Sequence, residues 1–375
     1  MRTAALIVCL LPLLAVAQPV VPGSDRFPHQ TPTEQVAAGE VLINELNCIG
    51  CHAADKSQSH RFETRPAPVL FTTHNSASAS WLRHWLNDPH GFKPGTLMPD
   101  LLHGLTEKDK ALAVDALRHY LVSLAPPLVN TEVTIGRDSE GRDFPLGELQ
   151  QKYTQEQLIQ FLLNPLHSRP AGRMPRVPMT QKEASHLSVF LRDRIPSRKG
   201  FALANGPAAL KLREEGKALF LKMRCANCHS TRGSNILPNL AKPLAKLDTT
   251  QGCLSAKPSK GIPHFYLKTE QIKAITAALR AKPVAFTAQE QTHRRMRQLN
   301  CTACHVRDGL GKPDPARDKF FTTTGNDLGD EGRLPPLLTG VGAKLTDTAL
   351  HKVLRGDEAV RPYMTTRMPD FGEIH

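Results

Sequence analysis

Apolar residues recur along the chain at intervals of three and four positions, the spacing of one face of an α-helix. Trp81, Leu82, Trp85 and Leu86 follow this period. Helix-like stretches of this kind are residues 37–47, 106–124, 153–164, 269–280 and 346–355. The chain also contains 30 prolines, which interrupt helices and favour irregular connections. The pattern therefore predicts an all-α fold of short helices joined by Pro-rich loops.

Threonines with an acidic residue three positions later mark the starts of several predicted helices. The pairs are Thr106 with Asp109, Thr180 with Glu183, and Thr287 with Glu290. In such a pair the hydroxyl can cap the helix while the carboxylate lies in its first turn. We expect helices to begin at these three threonines.

The N-terminus has the three parts of a secretory signal peptide. Arg2 supplies the positive charge, residues 4–14 are apolar, and residues 15–17 read Ala-Val-Ala. The apolar stretch is too short to span a bilayer. We therefore predict a signal peptide at 1–17 and a periplasmic or otherwise exported protein without a transmembrane anchor.

The length and charge of the chain narrow the class of protein further. Its 375 residues suggest two to four domains of roughly 100–150 residues each. The formal net charge is +13, which favours partners with an acidic docking surface. The basic residues are scattered rather than clustered, and export argues against nucleic acid as a partner.

Six of the eight cysteines lie in three C-x-x-C-H motifs. These are Cys48, Cys51 and His52; Cys225, Cys228 and His229; and Cys301, Cys304 and His305. This is the motif of c-type haem attachment. Two thiols at this spacing can each add to one haem vinyl group, and the adjacent imidazole becomes the proximal iron ligand. The motifs predict three covalently bound haem c groups.

Other uses of paired cysteines explain the motifs less well. A disulfide framework suits an exported chain but gives no reason for a histidine after every pair. Thioredoxin-like centres do not occur in threes. Zinc knuckles need two pairs for each metal, so three pairs would leave one unmatched.

The chain repeats an order of features: a helix, C-x-x-C-H, a Pro-rich loop, Met-Pro and a closing helix. Residues 33–125 contain all of these, whereas residues 126–200 keep only the second half and have no motif of their own. Residues 205–282 have a motif but no methionine after it. Residues 286–375 stop where a closing helix should begin, so either this unit lacks that helix or the sequence is truncated there. We predict four units with these boundaries.

The arrangement resembles the multi-unit cytochrome c proteins of planctomycete-type bacteria. The likeness is carried by Arg-Pro-Ala-Gly-Arg-Met-Pro at 169–175, Gly-Cys-Leu at 252–254, and Arg-Pro-Tyr-Met-Thr-Thr-Arg-Met-Pro-Asp-Phe-Gly at 361–372. It implies tandem class I cytochrome c domains, each a few short helices wrapped around a covalent haem. It also implies that Met98 is the sixth ligand of the haem on His52, and Met368 that of the haem on His305.

The haem on His229 has no methionine in its own unit. Met174 from the preceding half unit could reach its iron, His264 could ligate instead, or the position could be open. Cys253 is expected to be unpaired and buried, because the motif cysteines become thioethers and Cys9 leaves with the signal peptide.

Electron transfer between redox partners is the function these features favour. The first alternative is a haem enzyme, peroxidase-like or acting on another small molecule, that uses an open iron on His229. The second is a cytochrome subunit of a larger dehydrogenase complex, whose motifs are usually spaced more evenly. No catalytic residues are predicted.

Overall fold

The computed structural model describes residues 18–28, 31–55, 58, 61–63, 65, 67–70, 79–124, 149–168, 174–193, 206–231, 241–282, 286–324, 329–357, 361 and 363–371. Among them the secondary structure is helical, and β-structure is limited to isolated bridges. The helix-rich character predicted from the sequence is confirmed. The predicted signal peptide at 1–17 lies outside the described residues.

The α-helices are as follows: α1 Pro22–Asp25, α2 Pro32–Glu45, α3 Ala79–Asn87, α4 Pro89–Phe92, α5 Glu107–Ser123, α6 Leu149–Lys152, α7 Gln155–Leu163, α8 Pro165–Ser168, α9 Gln181–Asp193, α10 Pro207–Lys222, α11 Thr269–Arg280, α12 Ala288–Gln298, α13 Asp330–Arg333, α14 Val341–Lys344 and α15 Asp347–Leu354. Short 3-10 helices add Cys48–Gly50, Cys225–Asn227, Leu244–Lys246, Gly252–Leu254, Cys301–Ala303 and Pro315–Phe320. Within the ranges described, no helix is long and apolar enough to cross a membrane.

The predicted threonine caps are present. The Thr106 hydroxyl accepts a hydrogen bond from the Asp109 amide at 3.1 Å. The Thr180 hydroxyl accepts from the Glu183 amide at 3.2 Å. Thr287 forms a full capping box in the same way. Each cap satisfies an amide that has no partner within its helix, which explains why the sequence located these helix starts well.

Two helix crossings join the unit of residues 33–124 to the unit of residues 206–282. We call these two units together the exchanged pair. Helix α2 packs against α11, and α5 packs against α10. A Cβ at Gly39 would lie 1.9 Å from the Ala274 carbonyl oxygen, and one at Gly216 would lie 2.0 Å from the Ala116 carbonyl oxygen. Each glycine therefore permits a backbone approach that no other residue allows. The opening helix of each unit crosses the closing helix of the other.

Each of the resulting hydrophobic cores contains residues from both units. The first core combines α2 and α11 with buried side chains that include Phe62, Leu244 and Leu254. The second core combines α5 with Phe220 of α10 and the buried Leu102. The division into units at 33–125 and 205–282 remains a prediction. In the structure both hydrophobic cores are shared between these two units.

The described residues of 149–193 form a smaller hydrophobic cluster, which contacts α3 and the C-terminal unit. Helix α7 packs against α9 around Leu158, Ile159 and Leu162. Arg176 and Asp370 form an antiparallel bridge. The Arg367 guanidinium bonds the Glu183 carboxylate at 2.7 and 3.2 Å.

A buried carboxylate connects the first unit to the last. Glu40 on α2 is 1% exposed. Its carboxylate accepts from Arg61 Nε at 2.6 Å and also pairs with Arg294 of α12. Arg61 in turn donates to the Ala278 carbonyl of α11 at 2.8 Å. Three units thus meet at one ion pair cluster.

Candidate functional site

The three C-x-x-C-H motifs have the same backbone conformation. Each begins as a 3-10 helix, and the residue before the first cysteine is left-handed: Asn47 at φ 53°, Arg224 at φ 62° and Asn300 at φ 65°. In each motif the histidine amide donates to the carbonyl of the first cysteine at 2.9–3.0 Å. Two sulfurs and one imidazole are therefore brought onto one turn of the chain.

Each motif histidine is held by a backbone carbonyl. His52 Nδ1 donates to Lys242 O at 2.7 Å. His229 Nδ1 donates to Pro68 O at 2.9 Å, and His305 Nδ1 to Pro336 O at 2.8 Å. Because Nδ1 carries the proton in each case, Nε2 is the nitrogen with a free lone pair, as a metal-binding histidine requires.

The first two motifs exchange these carbonyl-bearing segments. Leu244 N donates to Ala53 O at 2.9 Å, so residues 242–244 run along the first motif. Leu70 N donates to Ser230 O at 2.9 Å, so residues 67–70 run along the second motif. Each segment is supplied by the other unit of the exchanged pair.

The third motif receives the same contact from its own unit. Leu338 N donates to Val306 O at 2.9 Å, beside the bond from His305 to Pro336. The geometry is unchanged although the connection is local. The contact is therefore a property of the motif, and the exchange changes only which segment provides it.

The motif thiols are unpaired and half-buried. All six cysteines lie unpaired in the structure. Burial raises the pKa of Cys225 to about 12 and also raises the pKa of Cys48, Cys228, Cys301 and Cys304. Burial lowers the pKa of His229 and His305. These groups are therefore neutral thiols and imidazoles near pH 7.

Two asparagines link the first motif to the second. Asn47 Nδ2 lies 3.5 Å from Cys228 Sγ, and Asn227 Nδ2 lies 3.5 Å from Cys51 Sγ. Asn227 also donates to Gly50 O at 3.1 Å. The two attachment motifs of the exchanged pair therefore touch each other.

The donor set fits a covalent haem. Each motif offers two thiols that can form thioethers and an oriented imidazole whose Nε2 can bind iron. An apolar core lies beside the motif: Cys48 packs against the first core and Cys225 against the second. In the described residues no group of three His, Cys, Asp or Glu side chains forms an alternative metal site.

The candidate sixth ligands lie on loops that pair with each other. We call residues 98–100 the Met98 loop and residues 262–264 the Ile262 loop. Asp100 N donates to His264 O at 2.9 Å, and His264 N donates to Asp100 O at 3.1 Å. Asp100 and His264 are thus paired residues, and two positions before them stand Met98 and Ile262.

The Met174 loop, residues 174–176, pairs in the same way with the Met368 loop, residues 368–370. Arg176 N donates to Asp370 O at 2.7 Å, and Asp370 N donates to Arg176 O at 2.8 Å. Met174 therefore lies on a loop that contacts the last unit. Its predicted role as ligand of the haem on His229 remains a prediction, which this location does not favour.

The His264 side chain belongs to an aromatic cluster at the junction of the exchanged pair. Its ring stacks on Tyr266 with 3.7 Å between centroids, and it meets His103 edge-on at 5.2 Å. Burial and the neighbouring His103 lower the pKa of His264, and burial with the nearby Asp100 carboxylate raises the pKa of Tyr266 to about 12. Ligation by His264 also remains a prediction.

Cys253 is not part of a motif, but its thiol lies close enough to the first motif to interact electrostatically with Cys48 and Cys51. It is free, as expected, but its side chain is half-buried rather than fully buried. Burial raises the pKa of this thiol.

Sequence reasoning missed the groups that hold the histidines and join the motifs. The acceptors on Lys242, Pro68 and Pro336 are backbone oxygens, so no side-chain pattern reveals them. All three lie at or before a proline: Lys242 precedes Pro243, and Pro68 and Pro336 are prolines themselves. The Pro-rich loops after the motifs were therefore the available signal.

Comparison with known proteins identifies one part of the chain. The cytochrome c family description matches residues 213–281. A stretch of 94 residues is 30% identical to cytochrome c oxidase subunit 2 of Bacillus subtilis (strain 168), covering 23% of this chain and 25% of that protein. The chain thus spans about a quarter of the length of this curated relative. No solved structure matches.

The matched segment contains the second motif and the closing helix α11. A cytochrome c domain is therefore present at residues 213–281. Such a domain implies covalently bound haem c and supports a haem-based electron-transfer role.

Proposed function

We propose that this protein is an exported c-type cytochrome that carries three covalent haems and transfers electrons between redox partners. The observation that carries the proposal is the identical geometry of the three motifs. Each places one thiol at the start of a 3-10 helix and the other at its C-cap, and fixes a histidine through a bond from Nδ1 to a carbonyl at 2.7–2.9 Å. The match to a cytochrome c domain covers one of these motifs and supports the same use of the other two.

The residues that would hold the haems follow from this geometry. Cys48, Cys51 and His52 would hold the first; Cys225, Cys228 and His229 the second; and Cys301, Cys304 and His305 the third. Met98 and Met368 are the candidate methionine ligands. A methionine opposite histidine raises the reduction potential, which suits a carrier.

Contact between the first and second motifs supports electron transfer within the exchanged pair. Asn47 and Asn227 each reach a cysteine sulfur of the opposite motif at 3.5 Å. The attachment edges of two haems held there would lie next to each other. The third haem is linked to the pair through α12 and its contact with Glu40.

Export and partner choice belong to the same proposal. The segment 1–17 would direct the chain out of the cytoplasm, where the cysteines meet the haem-attachment machinery. The formal charge of +13 would favour redox partners that dock through an acidic surface, mainly by raising the association rate.

Counting the haems tests the proposal. Intact-mass measurement of the purified protein should exceed the processed polypeptide by three haem masses. Cys301→Ala with Cys304→Ala should leave two haems, and Cys253→Ala should leave three because that residue lies outside the motifs. A wild-type protein with fewer than three haems would contradict the assignment.

A further inference from the structure

The exchange of segments between the two units of the exchanged pair changes which loop faces which haem. The inference rests on the proposed function, because it concerns the haems held by His52 and His229. We propose that Met98 is the sixth ligand of the haem on His229, and that the haem on His52, with Ile262 at the corresponding place, is open to a small diatomic ligand.

The first motif is bordered by segments of the other unit of the exchanged pair. His52 is held by Lys242 O, and Cys48 packs against the first core, which includes Leu244, Leu254 and residues of α11. Besides its own α2, the first motif is therefore bordered by residues 242–280. These are the carbonyl-bearing loop and closing helix of the other unit.

The second motif shows the reciprocal arrangement. His229 is held by Pro68 O, and Cys225 packs against the core that contains Leu102 and α5. The partly buried Leu70 and Leu86 pack against the same core. Besides its own α10, the second motif is therefore bordered by residues 67–70 and 79–124.

The Met98 loop and the Ile262 loop each belong to the segment that borders the motif of the other unit. The Met98 loop lies between Leu70 and α5, in the stretch that borders the motif of His229. The Ile262 loop lies between Leu254 and α11, in the stretch that borders the motif of His52. Leu97 touches the first core while Leu102 belongs to the second, so the Met98 loop runs from one core to the other.

Met98 and Ile262 occupy corresponding positions on the two paired loops. Both stand two residues before the mutually paired Asp100 and His264, and both are followed by proline. The residue that matches a methionine ligand is therefore an isoleucine, which has no donor atom. His264 instead matches Asp100, whose carboxylate caps Leu102 N at 2.8 Å within the loop.

The His264 ring is also engaged elsewhere. It stacks on Tyr266, whose hydroxyl donates to Asp100 at 3.4 Å, and it contacts His103 of the other unit. These contacts fasten the two loops together. On this correspondence the haem on His52 would have the apolar Ile262 where a methionine donor is expected, which favours a small neutral ligand such as carbon monoxide.

Installing a donor at position 262 tests the proposal in the full chain. Methionine ligation gives a weak near-infrared sulfur-to-iron band in the ferric protein. We expect wild type to show this band for two haems and to bind one carbon monoxide per chain in the ferrous state. Ile262→Met should add a third band and abolish carbon monoxide binding. Leu210→Met, on the exposed face of α10 at 58% exposure and 15 residues before Cys225, adds a methionine outside the motifs and their loops and should change neither.

Removing single haems tests the assignment of Met98. In a background of Cys48→Ala with Cys51→Ala, Met98→Ala should reduce two sulfur-to-iron bands to one. In a background of Cys225→Ala with Cys228→Ala, the same change should leave the one remaining band intact. Two bands in the second background, one of which is lost on Met98→Ala, would place Met98 on the haem of His52 and overturn the proposal.

Two further results would also overturn it. One is a wild type that binds no carbon monoxide until His264→Ala is made, because His264 would then be the ligand. The other is an Ile262→Met protein with no added band. Neither result depends on the haem count, so failure of the inference is distinguishable from failure of the proposed function, which mass measurement decides.

Discussion

The same pairing of loops occurs twice in the molecule in different surroundings. Asp100 pairs with His264 in the exchanged pair, and Arg176 pairs with Asp370 between residues 149–193 and the last unit. The first pairing lies between two glycine-mediated helix crossings and two apolar cores. The second is accompanied by the ion pair of Arg367 with Glu183, each side chain being 45% exposed.

Backbone pairing alone therefore does not determine how stable the contact between two segments is. Exposed ion pairs contribute little and are screened by salt, whereas buried apolar surface contributes roughly 25 cal/mol per Å². We therefore expect the exchanged pair to unfold as one unit. The contact of residues 149–193 with the last unit should instead be separable.

The largest expected effect follows from removing the buried carboxylate beside the exchanged pair. Glu40→Ala would leave the Arg61 guanidinium, whose side chain is 2% exposed, without its anionic partner. Breaking a buried ion pair in this way costs about 3–5 kcal/mol. The free energy of unfolding in urea should fall by that amount. Glu215→Ala, which removes an exposed pair with Lys211, should change it by less than about 1 kcal/mol, and equal losses would contradict the distinction.

A smaller effect is expected at the helix crossings. Gly39→Ala and Gly216→Ala would each place a methyl group about 2 Å from a carbonyl oxygen of the crossing helix. Overpacking of this kind costs about 1–3 kcal/mol. Urea unfolding should show the loss for both variants. Gly342→Ala on α14 meets no atom within 4 Å and should cause no loss, because alanine has the higher helix propensity; a similar loss there would contradict overpacking at the crossing as the cause.

The contact of residues 149–193 should respond to charge instead. Arg367→Ala removes the bonds to Glu183 and to the Pro178 carbonyl. Hydrogen exchange of the Arg176 and Asp370 amides should become faster, and high salt should have a similar effect on wild type. The Asp100 and His264 amides should keep their protection in both experiments. Equal sensitivity of the two pairings would remove the contrast between them.

The smallest expected effect is the loss of the Arg367–Glu183 contact at low pH. Hydrogen bonds from Arg367 and from Thr180 lower the pKa of Glu183 to about 2 from an ordinary value of 4.5. Because the pKa of Glu183 is lowered in the folded protein, the ionised carboxylate stabilises the contact above pH 4.5, and this stabilisation is lost as the pH falls towards 2. Amide exchange at Arg176 should rise across that window in wild type. Glu183→Gln should already be exchange-prone above it and should show no such step.

Much of the local structure could be predicted from the sequence. Helix starts at Thr106, Thr180 and Thr287 were located because capping depends on neighbouring residues. The three motifs were found because attachment needs thiols at fixed spacing. The partners of Gly39 and Gly216 were not predictable, because a glycine in a helix does not reveal which backbone approaches it.

The exchange itself was also beyond the sequence pattern. Residues 213–281 read as a contiguous cytochrome c domain, and residues 33–125 contain every feature of a complete unit. Each half could close on itself or on the other by the same contacts, since both opening helices carry a glycine nine residues before the first cysteine. Only the three-dimensional arrangement distinguishes the two choices.

The carbonyl bonds of the motif histidines also set an order for chain assembly. His305 finds its acceptor 31 residues away, whereas His229 and His52 reach acceptors 161 and 190 residues away. Contacts between distant residues form slowly because a long loop must close first, and synthesis delivers the N-terminal part first. The first motif must therefore wait, its histidine unanchored, until the chain has been made beyond residue 242, whereas the third can anchor its histidine almost as soon as its own loop emerges.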